Sequence, residues 1–182
     1  QAGFGRSVVA GLARVGGESV AILANQPQVL AGAIDGDAAD KATHFIEVAD
    51  SFQLPLLFLA DTPGIQVGSA AERSGILRRA MRMYATQARA GTVKMHVTLR
   101  KIYGVASCLM AMNPFDKQTV SVALPIGQLG AMPSSGAGGA AGANEAMQAA
   151  LDASAMSGVY RPADGMSYDE IIDPRDLRIV IL

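Results

Sequence analysis

A single cysteine, Cys108, excludes an intrachain disulfide and leads us to expect a reducing, cytosolic setting. Tryptophan is absent and aromatic residues make up 5% of the chain, so the core must be built from aliphatic side chains, methionine and alanine. Charge is sparse too, at 17% with a net of −1. Lys and Arg are scattered, which removes the electrostatic case for a nucleic-acid partner. No apolar run reaches the roughly 18–20 residues needed to span a bilayer, so no membrane partner is expected. The two histidines stand far apart without carboxylates at ligand spacing, which argues against a metal site. Against these shortages stand 182 residues that are 50% hydrophobic, enough for one packed domain. A start at Gln1 leads to the expectation that the chain is a trimmed product or part of a longer polypeptide.

The periodicity predicts an α/β domain with a largely parallel sheet. Ser7–Val15 and Ser19–Asn25 read as strands joined by a turn at Gly16-Gly17-Glu18. Asp35-Gly36-Asp37 supplies an acidic helix start, with Asp37 as the expected cap. Over residues 38–52, Ala42, Phe45, Ile46 and Ala49 share one face, with Lys41 among the residues placed outside it. Leu54–Ala60 and Val93–Leu99 are nearly all apolar, as strands buried on both faces should be. Ala70–Ala90 reads as one long helix, with Ile76, Leu77, Ala80, Tyr84 and Ala88 inward and its arginines on a solvated face. A short helix over residues 104–112 and a strand over 119–124 follow. Beyond Met132 the Gly-rich stretch near 133–142 reads as a flexible link. An Ala-rich helix over 144–156 offers Met147, Ala150, Leu151 and Met156 for packing, and a β-rich tail follows Pro174.

Two strand-to-helix turns carry the chemical signal: Asp61-Thr62-Pro63-Gly64-Ile65 and Arg100-Lys101-Ile102-Tyr103-Gly104-Val105-Ala106. Turns of this kind can aim backbone N–H groups at one point, where negative charge developing on a carbonyl oxygen is stabilised. The expected chemistry is acyl or carboxyl transfer supported by main chain, without a side-chain nucleophile. Gly3-Phe4-Gly5 is no dinucleotide loop, because Val8 holds the third glycine position and no strand precedes it. Cys108 reads as an inert buried thiol, His44 as a surface residue and His96 as a packed strand residue.

Several segments in the same order resemble the C-terminal carboxyltransferase domain of biotin-dependent acyl-CoA carboxylase β subunits and the related decarboxylases. They are Phe4 to Arg14, Ala24-Asn25-Gln26-Pro27, Leu30-Ala31-Gly32 and Asp35 to Lys41. Asp61-Thr62-Pro63-Gly64 is similar to the family's Asp-x-Pro-Gly turn, and Arg100 to Ala106 to its Arg-Lys-x-Tyr-Gly-Gly-Ala turn. Ala123-Leu124-Pro125 stands where the family has Ala-Trp-Pro, and Ile172-Asp173-Pro174-Arg175 is similar to its ending.

The resemblance implies a crotonase-like (ClpP/crotonase superfamily) ββα superhelix, with residues 1–182 as one carboxyltransferase C-terminal-like domain. It implies a transfer of a carboxyl group between carboxybiotin, borne on a biotin carboxyl carrier protein or domain, and an acyl-CoA held by an N-terminal carboxyltransferase half. A homo-oligomer is implied as well. The Val105 and Ala106 N–H groups would form the oxyanion hole, with Gly64, Ile65 and Gly104 as substrate-binding neighbours. Val105 departs from the family's second glycine, and Ser107 and Cys108 stand where many members have Tyr and Asp. Two alternatives stay open: a non-catalytic crotonase-like assembly module, and a hydratase or decarboxylase acting directly on a CoA ester.

Overall fold

The computed structural model describes residues 2–182, with Pro114 described by its backbone alone; Gln1 lies outside. Strands β1 (Val8–Val15) and β2 (Glu18–Asn25) form an antiparallel hairpin, as the Gly16-Gly17 signal leads one to expect. β3 (Leu56–Thr62) and β4 (Lys94–Tyr103) then add in parallel, followed by β5 (Val120–Ala123) and β7 (Glu170–Ile171). The sheet order is β1-β2-β3-β4-β5-β7, and β6 (Gln128–Gly130) pairs with β4 off this path. Each parallel neighbour requires a crossover. α1 (Gly36–Ser51) supplies the first, and α2 (Ser69–Arg73) with α3 (Ile76–Arg89) the second. α4 (Ala106–Leu109) lies in the third.

Alternation along the strands sorts the side chains onto two faces. Leu56, Phe58 and Ala60 of β3 join Ala21 and Leu23 of β2 in a core with α1, α3 and α4. Leu57 joins Val20, Met95, Val97 and Val122 on the opposite face, which α8 (Leu177–Ile181) covers with Leu177, Val180 and Ile181. The expected β-rich tail is therefore a helix. Packing of its apolar residues on the sheet overrides the strand preference of its Ile and Val.

Four further expectations change. Asp35, not Asp37, caps α1, its Oδ1 accepting from the Ala38 N–H at 2.7 Å. The helix expected over 70–90 breaks at Ser74-Gly75, with Gly75 in the left-handed region at φ 75°; the turn this introduces leaves Leu77 61% exposed. The Gly-rich stretch forms α5 (Ser134–Ala141), packed on α6 (Glu145–Ala155) with Gly138 against Gln148. The residues offered for packing here are not buried: Met147 of α6 and Met156, its C-cap, are 51% and 87% exposed. α7 (Tyr160–Asp164) leads from this hairpin back to the body through buried Val159.

Lys41 is the largest departure on α1. It is buried, and its ammonium donates to the carbonyls of Phe4, Gly5 and Val8 at 3.1, 3.4 and 2.7 Å. This pins the entry to β1 against the helix, and burial lowers the lysine pKa. Among the described residues no helix is long and apolar enough to cross a membrane.

Replacing Lys41 by Met keeps the apolar stem but leaves three carbonyls without their charged donor. We expect a loss of about 2–3 kcal/mol in urea unfolding; an unchanged midpoint would mean that the three bonds contribute nothing net.

Candidate active site

β3 and β4 pair without interruption from Leu56↔Lys94 to Ala60↔Thr98, and the next pair is Thr62↔Ile102. One residue of β3, Asp61, thus faces three of β4, Leu99 to Lys101, which is a bulge with two extra residues. The Arg100 Nε donates to both carboxylate oxygens of Asp61 at 3.2 Å across the bulge. Beyond it β4 leaves β5, with which Met95–Thr98 pair, and takes β6 as its neighbour from Lys101 to Tyr103. The sequence expectation that Arg100 opens a turn is corrected here: β4 continues to Tyr103, and the turn is confined to Gly104-Val105.

The two turns that follow β3 and β4 line one cavity of about 550 Å³. Pro63, Gly64, Ile65 and Val67 form one wall, and Tyr103, Gly104 and Val105 another. Leu30 and Ala33 close one side, and Ala131 to Pro133 the other. Among the described residues the N–H groups of Ile65, Val105 and Ala106 reach no protein acceptor. All three belong to the residues named from the sequence. Val105 sits at φ −62° and ψ −14°, ordinary helical values, so its β-branched side chain imposes no backbone strain. It packs partly against the main core and leaves the cavity open.

Gly64 and Gly104 also line the cavity, but their amides are engaged. The Gly64 N–H donates to Thr62 Oγ1 at 3.2 Å, and the Gly104 N–H to Gly130 O at 2.9 Å. Their contribution is conformational: φ is 126° at Gly64 and 57° at Gly104, values L-residues rarely adopt. A Cβ on Gly104 would also stand 3.1 Å from Ala131 O. Tyr103 is buried, donates its hydroxyl to Gln128 Oε1 at 3.0 Å, and has its pKa raised by that burial.

Residues not anticipated as part of the site complete its rim. Leu30 and Ala31 have φ of 50° and 54°, left-handed values in non-glycine residues. Asn25 holds this loop to β3, accepting from the Asp61 N–H at 3.2 Å and donating to Gly32 O at 3.4 Å. The Leu-Ala-Gly segment gave no sequence signal for such a conformation, because only its glycine advertises positive φ.

Cys108 is half-buried, accepts from Asn113 Nδ2 at 3.3 Å, and burial pushes its thiol pKa up, so it is not a ready thiolate. His44 is exposed on α1. His96 is fully buried, with Nδ1 at 2.7 Å from Met110 O and Nε2 at 2.8 Å from Thr98 Oγ1. Burial lowers its pKa to about 4, leaving the ring neutral.

With this geometry in place, the chain matches the family described as the carboxyl transferase domain over residues 1–181. The chain belongs to the carboxyl transferase domain family. It is 36% identical over 187 residues to the uncharacterized carboxylase YngE of Bacillus subtilis, covering 96% of this chain and 36% of that protein. It is 35% identical over 190 residues to the methylmalonyl-CoA carboxyltransferase 12S subunit of Propionibacterium freudenreichii, covering 98% of this chain and 36% of the relative. A transcarboxylase 12S crystal structure, a hexamer solved with methylmalonyl-coenzyme A and methylmalonic acid, superposes with a TM-score of 0.92 at 34% identity. That match covers 99% of this chain and 36% of the other. The carboxyl transferase domain fold expected from the motifs, crotonase-like with a mixed α/β sheet, is thereby shown. The chain spans about a third of the length of these relatives.

The depressed His96 pKa has a measurable consequence. Its folded value of about 4 lies below the ordinary 6.5. As pH falls, the unfolded chain therefore takes up the proton first. The contribution of His96 to stability is complete above pH ~6.5 and is lost as pH falls through ~4, amounting to about 3 kcal/mol. The stability difference between wild type and His96→Asn should shrink between about pH 7.5 and about pH 4.5 in urea unfolding. A pH-independent difference would contradict the buried neutral ring.

Proposed function

We propose that this chain is the carboxybiotin-receiving half of an acyl-CoA carboxyltransferase, acting with an N-terminal half that holds the acyl-CoA thioester. The observation that carries this reading is the pair of unpaired N–H groups on Ile65 and Val105, which line a cavity of about 550 Å³ between two strand-to-helix turns, with the unpaired Ala106 N–H next in the chain. The cavity is wide enough for a ureido ring, and its walls are mostly apolar, which suits the ring's hydrocarbon side.

When bound, N-carboxylated biotin supplies an activated carboxyl group. The Val105 and Ala106 amides would hold the ureido oxygen and stabilise the negative charge it acquires, as preorganised donors that need no rearrangement. Ile65 would present a further donor from the facing wall. Gly104, at φ 57°, lets the chain turn sharply from β4 into α4, which would bring those amides toward the group. Tyr103 and the apolar rim would exclude water from the group's approach. Among the described residues no buried carboxylate lines the cavity, which favours amide stabilisation over proton abstraction by a side chain here.

The same reading assigns the partners. A biotin carboxyl carrier protein or domain would deliver the group, and a homo-oligomer would bring the N-terminal half of a second copy over the cavity mouth. Val67, 85% exposed on the cavity wall, offers that half an apolar contact. A cytosolic setting belongs to the same proposal.

Carboxyl transfer to biocytin by the full-length protein, with an acyl-CoA donor, tests the reading. Val105→Pro removes one donor at a φ that suits the proline ring, and should lower the rate about 10²–10³-fold. Val105→Gly retains the N–H and should keep the rate. Equal behaviour of the two variants would sink the amide role, and an inactive wild type would leave the assembly-module reading in its place.

A further inference from the structure

The helix-facing side of β4 is built unlike that of its neighbour. β3 presents Leu56, Phe58 and Ala60 to α1 and α3. β4 presents Lys94, His96 and Thr98 at the paired positions, all buried. Polar groups in such a place persist only where partners satisfy them. The Lys94 ammonium donates to the carbonyls of Gln87 and Asp116, and His96 meets the carbonyl of Met110. Each of these targets lies on α3 or in the segment between β4 and β5. That segment contains α4 and little other regular structure.

α4 is a single turn of four residues, too short to persist on its own. Val105, which lines the cavity, is nevertheless its N-cap, and the Val105 and Ala106 amides at its start reach no protein acceptor. Its trailing carbonyls need outside partners, as at any helix end. Two side chains supply them. Gln87 Nε2 donates to Cys108 O at 2.7 Å from α3, and His96 reaches Met110 O at 2.7 Å from the sheet below.

The chemistry of the partners settles the direction of every bond in the His96 chain. A carbonyl only accepts, so Nδ1 carries the proton toward Met110. Nε2 then accepts from the Thr98 hydroxyl, and the Thr98 oxygen, 2.8 Å from the Tyr168 hydroxyl, accepts from it. Tyr168 is buried just before β7, and burial pushes its pKa up to about 12, keeping it a donor. One hydrogen-bond chain thus runs from the C-terminal segment through the sheet to the base of α4.

We infer that His96 is a positioning residue for the Val105 and Ala106 amides, acting through its Nδ1–H bond to Met110 O and held in one tautomer by Thr98 and Tyr168. The inference rests on the carboxyltransferase reading for its kinetic consequence, though not for its structural one. Misplacing the donors would weaken their hold on the biotin ring and leave the thioester site, on the other half, untouched.

The test uses the full-length protein. His96→Leu, which keeps the buried apolar bulk, should lower kcat/KM for biocytin about ten- to a hundredfold with KM for the acyl-CoA unchanged. His96→Asn puts an amide N–H near the place of Nδ1–H and should recover most of the loss, which a role in packing alone would not allow. Tyr168→Phe, a mild change that loosens the tautomer lock, should fall between wild type and His96→Leu and serves as the probe if the leucine variant does not fold. Crystal structures of the variants, free of ligand, give a second readout: α4 should be displaced or poorly ordered in His96→Leu and restored in His96→Asn. An unmoved α4 in His96→Leu, or a tyrosine variant identical to wild type in both readouts, overturns the inference. An inactive wild-type enzyme would instead count against the carboxyltransferase reading, and the position of α4 would still decide the role of His96.

Discussion

The two-residue excess in β4 opposite Asp61 is the constraint on which the site depends. Without it β4 would stay between β3 and β5 along its whole length, and no place would exist for β6. With it, the strand changes neighbour at Lys101 and carries Tyr103 and Gly104 to the side where the β3 turn ends. The Arg100–Asp61 pair spans the irregular stretch, with Asp61 nearly buried and Arg100 half in solvent. Its worth in free energy is limited by that exposure. Its geometric effect is to tie the extra residues of β4 to the last residues of β3.

A polar row under an apolar helix layer is the second organising feature. The core against α1 is ordinary, with Ala38, Ala42 and Ile46 of the helix in one buried cluster with Phe58 of β3. Under α4 the sheet offers lysine, histidine and threonine instead; Lys94 and His96 donate to main-chain carbonyls of α3 and of the segment between β4 and β5, and Thr98 donates to His96. Such carbonyls would otherwise be stranded away from water, at a cost comparable to a lost hydrogen bond each. The sheet therefore performs, through side chains, the satisfaction that a longer helix would perform internally. It also places the segment at fixed points, which dispersion contacts alone do less sharply.

The cavity rim combines two kinds of backbone. Gly64 and Gly104 adopt positive φ where a side chain would be strained, while Leu30 and Ala31 adopt it at some conformational expense. The rim is thus held in shape by its surroundings, through Asn25 and the end of β3, more than by local preference. Donors presented by a backbone held this way need no reorganisation when charge appears beside them, which is the physical advantage of amide-based stabilisation.

The sequence by itself determined the first five strands and located the two turns, though neither β6 nor β7. Period-2 and period-3.6 patterns, together with the Gly-Gly hairpin, are local signals that survive without knowledge of the fold. The motif order also pointed to the family, and two of the residues it singled out, Ile65 and Val105, line one cavity. Tertiary structure alone decided the rest. The burial of Lys41 and the role of Asp35 depend on where the chain before β1 returns. The helicity of α5 and α8 depends on what covers them, since glycine, valine and isoleucine argue locally for other states. The His96–Thr98–Tyr168 chain joins residues from opposite ends of the sequence, and no spacing rule connects β4 to the approach to β7. That the Gly64 amide is engaged while the Val105 amide is not follows from which acceptors the folded chain happens to bring within 3.2 Å, a matter of distance in space that linear order does not encode.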